Sequence, residues 1–294
     1  MSDEIRPRRS TLYMPGSNAR ALEKAKTLAA DALILDLEDA VAPAAKAAAR
    51  DQVKAAVAAG GYRPREVVIR INALSTEWGR DDLDAALAAG PDAILVPKVS
   101  SAGELDRIRA AFAAAGSDGR VALWIMMETP LAILNAATIA AGAADRDARL
   151  ACLVMGTNDL AKETGASLGH GRFAMVPWLA TCVAAARANG LAILDGVYND
   201  IRDAEGFAAE CAQGAALGMD GKTLIHPSQV PPANEIFAPA PAEIERARAI
   251  IAAFSRPENE GKGAIELDGR MVELLHLETA RRTMALAAAI AATL

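Results

Sequence analysis

The segment "LACLVMGTNDLAKE" (150–163) decides the fold. An apolar run ends at Met155, Gly156 breaks it, and the residues from Thr157 onward read as the start of a helix with Asp159 in its first turn. A short apolar run closed by glycine is a buried strand. A strand passed directly to a helix is half of a parallel crossover unit. The segment "VALWIMMETP" (121–130) has the same design, with Glu128 closing its apolar run. One acid in this place is explained as a helix cap. Its recurrence in consecutive units asks for a second reason.

Outward from these two, similar runs occupy 10–16, 32–38, 66–72, 93–99, 191–197 and 222–228, with 121–128 and 151–156 completing the set. Ala-rich helical patterns such as "NARALEKAKTLAA" and "AEGFAAECAQGAALG" lie between them. Eight strand–helix units predict a closed α/β (β/α)8 TIM barrel in preference to an open doubly wound sheet. No GxGxxG or Walker loop argues for the open alternative. The 294 residues suit one such barrel with a tail. The barrel is assigned to 1–254. Residues 255–294 form a C-terminal helical extension, with a Gly-rich loop or hairpin at "ENEGKGAIELDGR" and a final helix from 271, serving as a packing element or as a lid over a neighbouring subunit.

A net charge of -6 argues against nucleic acid as a partner. An acidic total still permits an anionic small molecule at a local basic cluster. The three cysteines, Cys152, Cys182 and Cys211, form no CxxC pair, so neither a zinc site nor a disulfide framework is expected. No apolar run approaches the roughly 20 residues of a membrane span, and the charged start "MSDEIRPRRS" has no signal-peptide core. A soluble cytoplasmic protein without membrane contact is the expectation.

In a parallel barrel the loops after the strands build the active face. The polar residues there are Asp36, Glu38, Asp39, Arg70, Asn72, Lys98, Glu128, Asp159, Asp195, Asn199 and His226. Alternation puts Arg70 on one face with Val68 and Asn72, between two isoleucines on the other. A buried guanidinium needs an anionic partner, either a protein acid or a substrate carboxylate. Glu128 and Asp159 come from neighbouring strands about 5 Å apart, so they can converge on one cation. Two oxygen ligands with no nearby His or Cys suit Mg²⁺, with Mn²⁺ an acceptable substitute. Glu38 and Asp39 are placed to hold the waters of that ion; their alternative role is charge at a helix N-terminus. Lys24, one turn into a helix after Gly16-Ser17, is either a phosphate-binding cation or a solvated one. His226, before a proline, reads as structural.

These residues resemble the citrate lyase beta-subunit-like and malyl-CoA lyase family of acyl-CoA barrel enzymes. The resemblance is carried in order along the chain by "RSTLYMPGSNARALEKA", "ADALILDLEDAVAP", "VIRINAL", "LVPKV", "METP", "MGTNDLAKE" and "DGKTLIHPSQ". Within it, "TEWGRDDL", "MGTNDLAKETG" and "LDGVYNDIRDAEG" are most similar to the (3S)-malyl-CoA thioesterase branch. The resemblance implies that Arg70 binds a substrate carboxylate, that Glu128 and Asp159 hold Mg²⁺, and that Tyr13 and Lys24 touch substrate or coenzyme A. It also implies a homo-oligomer in which an acid from a neighbour's C-terminal segment enters the site. That acid is aspartate in the carbon–carbon lyases, and "MVELLHLETA" has Glu273 instead. Asn18 stands where some members carry arginine, which removes one expected coenzyme A contact. A carboxylate displaced by one methylene changes reactivity at the scale of about 1 Å. The implied activity is therefore Mg²⁺-dependent hydrolysis of malyl-CoA to malate and CoA, with Glu273 as general base or nucleophile. The alternatives are a malyl-CoA, methylmalyl-CoA or citramalyl-CoA lyase releasing acetyl-CoA or propionyl-CoA and glyoxylate, and a citrate lyase beta subunit acting inside a complex.

Overall fold

The computed structural model describes residues 5–116, 119–145 and 149–293. Eight strands form a closed parallel barrel in chain order: β1 (Ser10–Pro15), β2 (Ala32–Asp36), β3 (Glu66–Arg70), β4 (Ala93–Val96), β5 (Ala122–Met127), β6 (Leu150–Met155), β7 (Ala192–Asp195) and β8 (Gly221–Leu224). β1 pairs with β8 to close the ring. Helices follow the strands, so the expected (β/α)8 architecture holds. Each observed strand falls within a residue or a few of its sequence-predicted run.

Period-two alternation sorts the strand residues into two cores. Ile34, Val68, Leu95, Trp124, Val154 and Leu194 fill the barrel interior. Leu33, Leu35, Val67, Ile69 and Ile125 face outward and pack in the larger core shared with the helices. The interior is sealed toward the strand starts. Arg8 lies 4.8 Å from the centre of the Trp124 ring and binds Glu66 through Nε at 2.7 Å. A plugged floor leaves the opposite end, where the strands finish, for chemistry.

Contacts divide the chain into Arg8–Phe237, which is the barrel, and a second compact unit of Ala238–Leu294 with Met1–Pro7. The sequence boundary at 254/255 therefore falls inside the second unit. Its helix Pro241–Phe254 packs through Ala247 and Ile250 against Ile265, Val272 and Leu277 of the same unit. The hairpin β9 (Ala264–Leu267) and β10 (Arg270–Glu273) turns through Asp268 and Gly269, both at positive φ as a two-residue Asp-Gly turn requires. The closing helix spans Leu274–Thr293, so residues 271–273, expected to be helical, are strand. Among the described residues no helix is long and apolar enough to cross a membrane.

Candidate active site

Asp36 and Arg70 are direct register partners at the ends of β2 and β3. Arg70 donates from Nε and Nη2 to the two oxygens of Asp36 at 2.6 and 2.7 Å. Its remaining nitrogen, Nη1, lies 2.6 Å from Glu38 and 3.3 Å from Asp39. The guanidinium rests 4.8 Å over the Tyr13 ring. Protein acids are thus its partners here. Burial works against the Arg70 charge, and Asp36 and Tyr13 beside it more than reverse this, raising its pKa overall. The Glu38–Arg70 contact is close but poorly aligned for a hydrogen bond, and Oε2 of Glu38 is buried with none. Burial pushes the Glu38 carboxyl up to about 8; Arg70 opposes this, while Asp39, Glu128 and Asp36 add to it.

Glu128 follows β5 and is 1% exposed. Gly156, after β6, gives it room. A Cβ on Gly156 would sit 2.3 Å from the Glu128 Cβ and 2.7 Å from its Oε2. Asp159 lies in the first turn of the helix Thr157–Thr164 that Gly156 introduces. The two acids share one cation, the ammonium of Lys98. Its Nζ hydrogen-bonds Oδ1 of Asp159 and lies 3.9 Å from Oε1 of Glu128, while the Lys98 backbone N–H donates to that same Oε1 at 2.7 Å. Burial raises the Glu128 carboxyl to about 7, partly countered by Lys98. Burial would lower the Lys98 pKa, but Asp159 and Glu128 hold it raised.

A cavity of about 310 Å³ opens at this end of the barrel, lined by Tyr13, Asp36, Asp39, Arg70, Asp159 and Asn199 among others. Asn158 and Asn199, also in its lining, exchange two side-chain hydrogen bonds at 3.1 and 2.8 Å and tie the segments after β6 and β7 together. The carboxylates that already surround an ammonium suit a hard cation. Among the described residues no group of three or more His, Cys, Asp or Glu is arranged to hold a metal ion. Two protein oxygens with the remainder from water and ligand are what Mg²⁺ accepts. The donor set and the Gly156 clearance therefore fit that ion.

The other predicted residues make contacts of their own. Lys24 is exposed in the last turn of helix Ala19–Ala25. Glu273 ends β10 in the second unit, its N–H donating to Nδ1 of His276 at 3.0 Å. Asn72 belongs to a buried network with Asp82 and Lys46. His226 caps the turn Pro227–Gln229, as a structural histidine should. Asp195 faces the outer side of the wall. Arg172 grips it with two bonds of 2.6 and 2.8 Å, and Lys222 bridges it at 3.0 Å to Glu210 at 2.6 Å. Burial opposes the Asp195 charge, yet Lys222 and Arg172 lower its pKa. The pairings of Asp36 and Lys98 were not anticipated from sequence. The first depends on β2 and β3 aligning without offset. The second depends on a left-handed backbone at Lys98, φ 59°, which no local pattern announces.

Residues 9–227 match the protein family described as HpcH/HpaI aldolase/citrate lyase. The chain is 53% identical over 99% of both chains to a (3S)-malyl-CoA thioesterase of Cereibacter sphaeroides. It is 33% identical to citrate lyase subunit beta of Escherichia coli, covering 95% of this chain and 92% of the relative. A crystal structure of protein CitE from Mycobacterium tuberculosis, in complex with magnesium, acetoacetate and coenzyme A, is similar with a TM-score of 0.71 and 31% identity, covering 95% and 97% of the two chains.

Proposed function

The chain belongs to the HpcH/HpaI aldolase/citrate lyase family, and within it we propose a Mg²⁺-dependent (3S)-malyl-CoA thioesterase that converts malyl-CoA and water to malate and CoA. The observation that carries this reading is the step in identity, from 53% with a thioesterase to 33% with a citrate lyase subunit, over nearly the whole chain in both cases. The CitE complex with magnesium and coenzyme A supports the same class of ligands.

Glu128 and Asp159 would hold the ion. When bound, it supplies a Lewis-acidic centre for the oxygens of the malyl group. Arg70 has Nε and Nη2 committed to Asp36, so it meets the substrate carboxylate through Nη1, on the side where Asp39 is exposed and readily displaced. Asp36 fixes the plane of the guanidinium. Glu38 and Asp39 hold water near the ion, and Tyr13 and Lys24 contact substrate or coenzyme A. Glu273, from the C-terminal segment of a neighbouring copy, removes the proton from the attacking water or attacks the thioester itself. The working enzyme is then a homo-oligomer. Its three free, buried cysteines are in keeping with a reducing cytoplasm.

Purified protein with malyl-CoA and Mg²⁺ should release thiol and malate without glyoxylate. Acetyl-CoA and glyoxylate as the products would establish a lyase in its place. Glu273→Gln should abolish thiol release. An unchanged product ratio in Glu273→Asp would remove this residue from the argument.

A further inference from the structure

We propose that Lys98 is an internal counter-ion that occupies the seat between Glu128 and Asp159 in the metal-free protein and swings out when a divalent cation enters, so that this side chain sets the cation affinity low. The inference rests on the metal reading above and adds a competitor to it.

The ammonium sits on Oδ1 of Asp159, one of the two oxygens this residue could offer an ion, and 3.9 Å from Oε1 of Glu128. Two carboxylates and one ammonium leave the seat at one negative charge, whereas the same carboxylates with a divalent ion are neutral. Ion and ammonium cannot both sit on that oxygen of Asp159, so one of them leaves. Lys98 has a route, because its side chain is 35% exposed and stands on a flexible four-carbon stem. Its backbone has no reason to follow. The N–H of Lys98 stays on Oε1 of Glu128 at 2.7 Å whichever way the ammonium points. The left-handed φ of 59° at Lys98 is a conformation that glycine adopts most readily. It lets one residue supply both the N–H and the ammonium.

The opposing arrangement is a lysine that remains bound to Asp159 and orients it toward the ion. The two make opposite predictions for removal of the charge. Mn²⁺ binding to the full chain, without substrate, is followed by the loss of its free electron-spin resonance signal in wild type, Lys98→Gln and Lys98→Gly. The glycine variant suits the backbone and guards against a folding defect in the other. Both variants should bind Mn²⁺ about three- to fivefold more tightly, the worth of releasing a partly exposed ion pair. In a metal chelator Lys98→Gln should melt below wild type, and the gap should close at saturating Mn²⁺. Unchanged or weaker Mn²⁺ binding by the folded variants, beside a wild type that binds, overturns the role of Lys98 alone. A wild type that binds no Mn²⁺ overturns the metal reading and this proposal together.

Discussion

Gly156→Ala tests how tightly the carboxylate of Glu128 is placed. The new Cβ would stand 2.3 Å from the Glu128 Cβ and 2.7 Å from Oε2, with the methyl carbon Cε of Met126 at 3.3 Å. Ordinary contact between carbons begins near 3.5 Å, so either β6 or Glu128 must give by about 1 Å. Overpacking of this kind costs about 1–3 kcal/mol. For a barrel of this size that lowers the melting temperature by about 2–4 °C per kcal/mol, so a drop of about 2–12 °C is expected. The catalytic effect should be larger, because a reacting group misplaced by about 1 Å can cost about 100-fold in rate. The assay is thiol release from malyl-CoA at saturating Mg²⁺, read beside thermal melting and Mn²⁺ binding on the same preparation. A variant that melts lower but keeps wild-type rate and Mn²⁺ affinity would refute the claim that Gly156 clears the seat of Glu128.

Three further outcomes follow from the buried charges. Asp36→Ala removes the bidentate partner of Arg70 and should cost about 3–5 kcal/mol in urea unfolding, with KM rising because Nη1 is no longer held in plane. Asp195→Asn leaves Arg172 and Lys222 with only Glu210 between them, so a comparable loss of stability is expected, while the rate per folded molecule stays near wild type. The third concerns pH. The Glu128 carboxyl is raised from 4.5 to about 7, so its proton favours the folded metal-free protein at low pH, and this contribution is lost as pH rises from 4.5 through 7. Cation binding runs the other way. Mn²⁺ affinity should strengthen about tenfold per pH unit on approaching 7 from below and level off above it. A flat profile between pH 5 and 8 would contradict the burial argument.

The barrel was legible because its strands are short apolar runs closed by polar residues, a pattern set by burial on both faces. That Glu128 and Asp159 come close, here around the Lys98 ammonium, was legible too, as they follow adjacent strands. Less accessible were partners that depend on register or on unusual backbone. Asp36 and Arg70 each stood out alone, but their bidentate contact requires β2 and β3 aligned without offset. Lys98 comes between two acids only through a backbone turn that its neighbours "LVPKV" do not encode by periodicity. The outer quartet of Arg172, Asp195, Lys222 and Glu210 escaped because alternation marks a charged residue as facing solvent unless a helix covers it. Helix Pro241–Phe254 continues the barrel's strand–helix rhythm, so periodicity alone could not show that its apolar face belongs to the hairpin beyond it.

The reciprocal amide exchange between Asn158 and Asn199 carries a consequence for the ageing of the protein. Each side chain gives one hydrogen and takes one, which a carboxylate cannot do because it only accepts. Spontaneous deamidation of Asn158 would cut one strap outright and set a fresh negative charge next to Asp159. Molecules altered in this way would keep the bond from Asn199 alone, and a one-dalton gain in mass on the peptide carrying Asn158 would mark them.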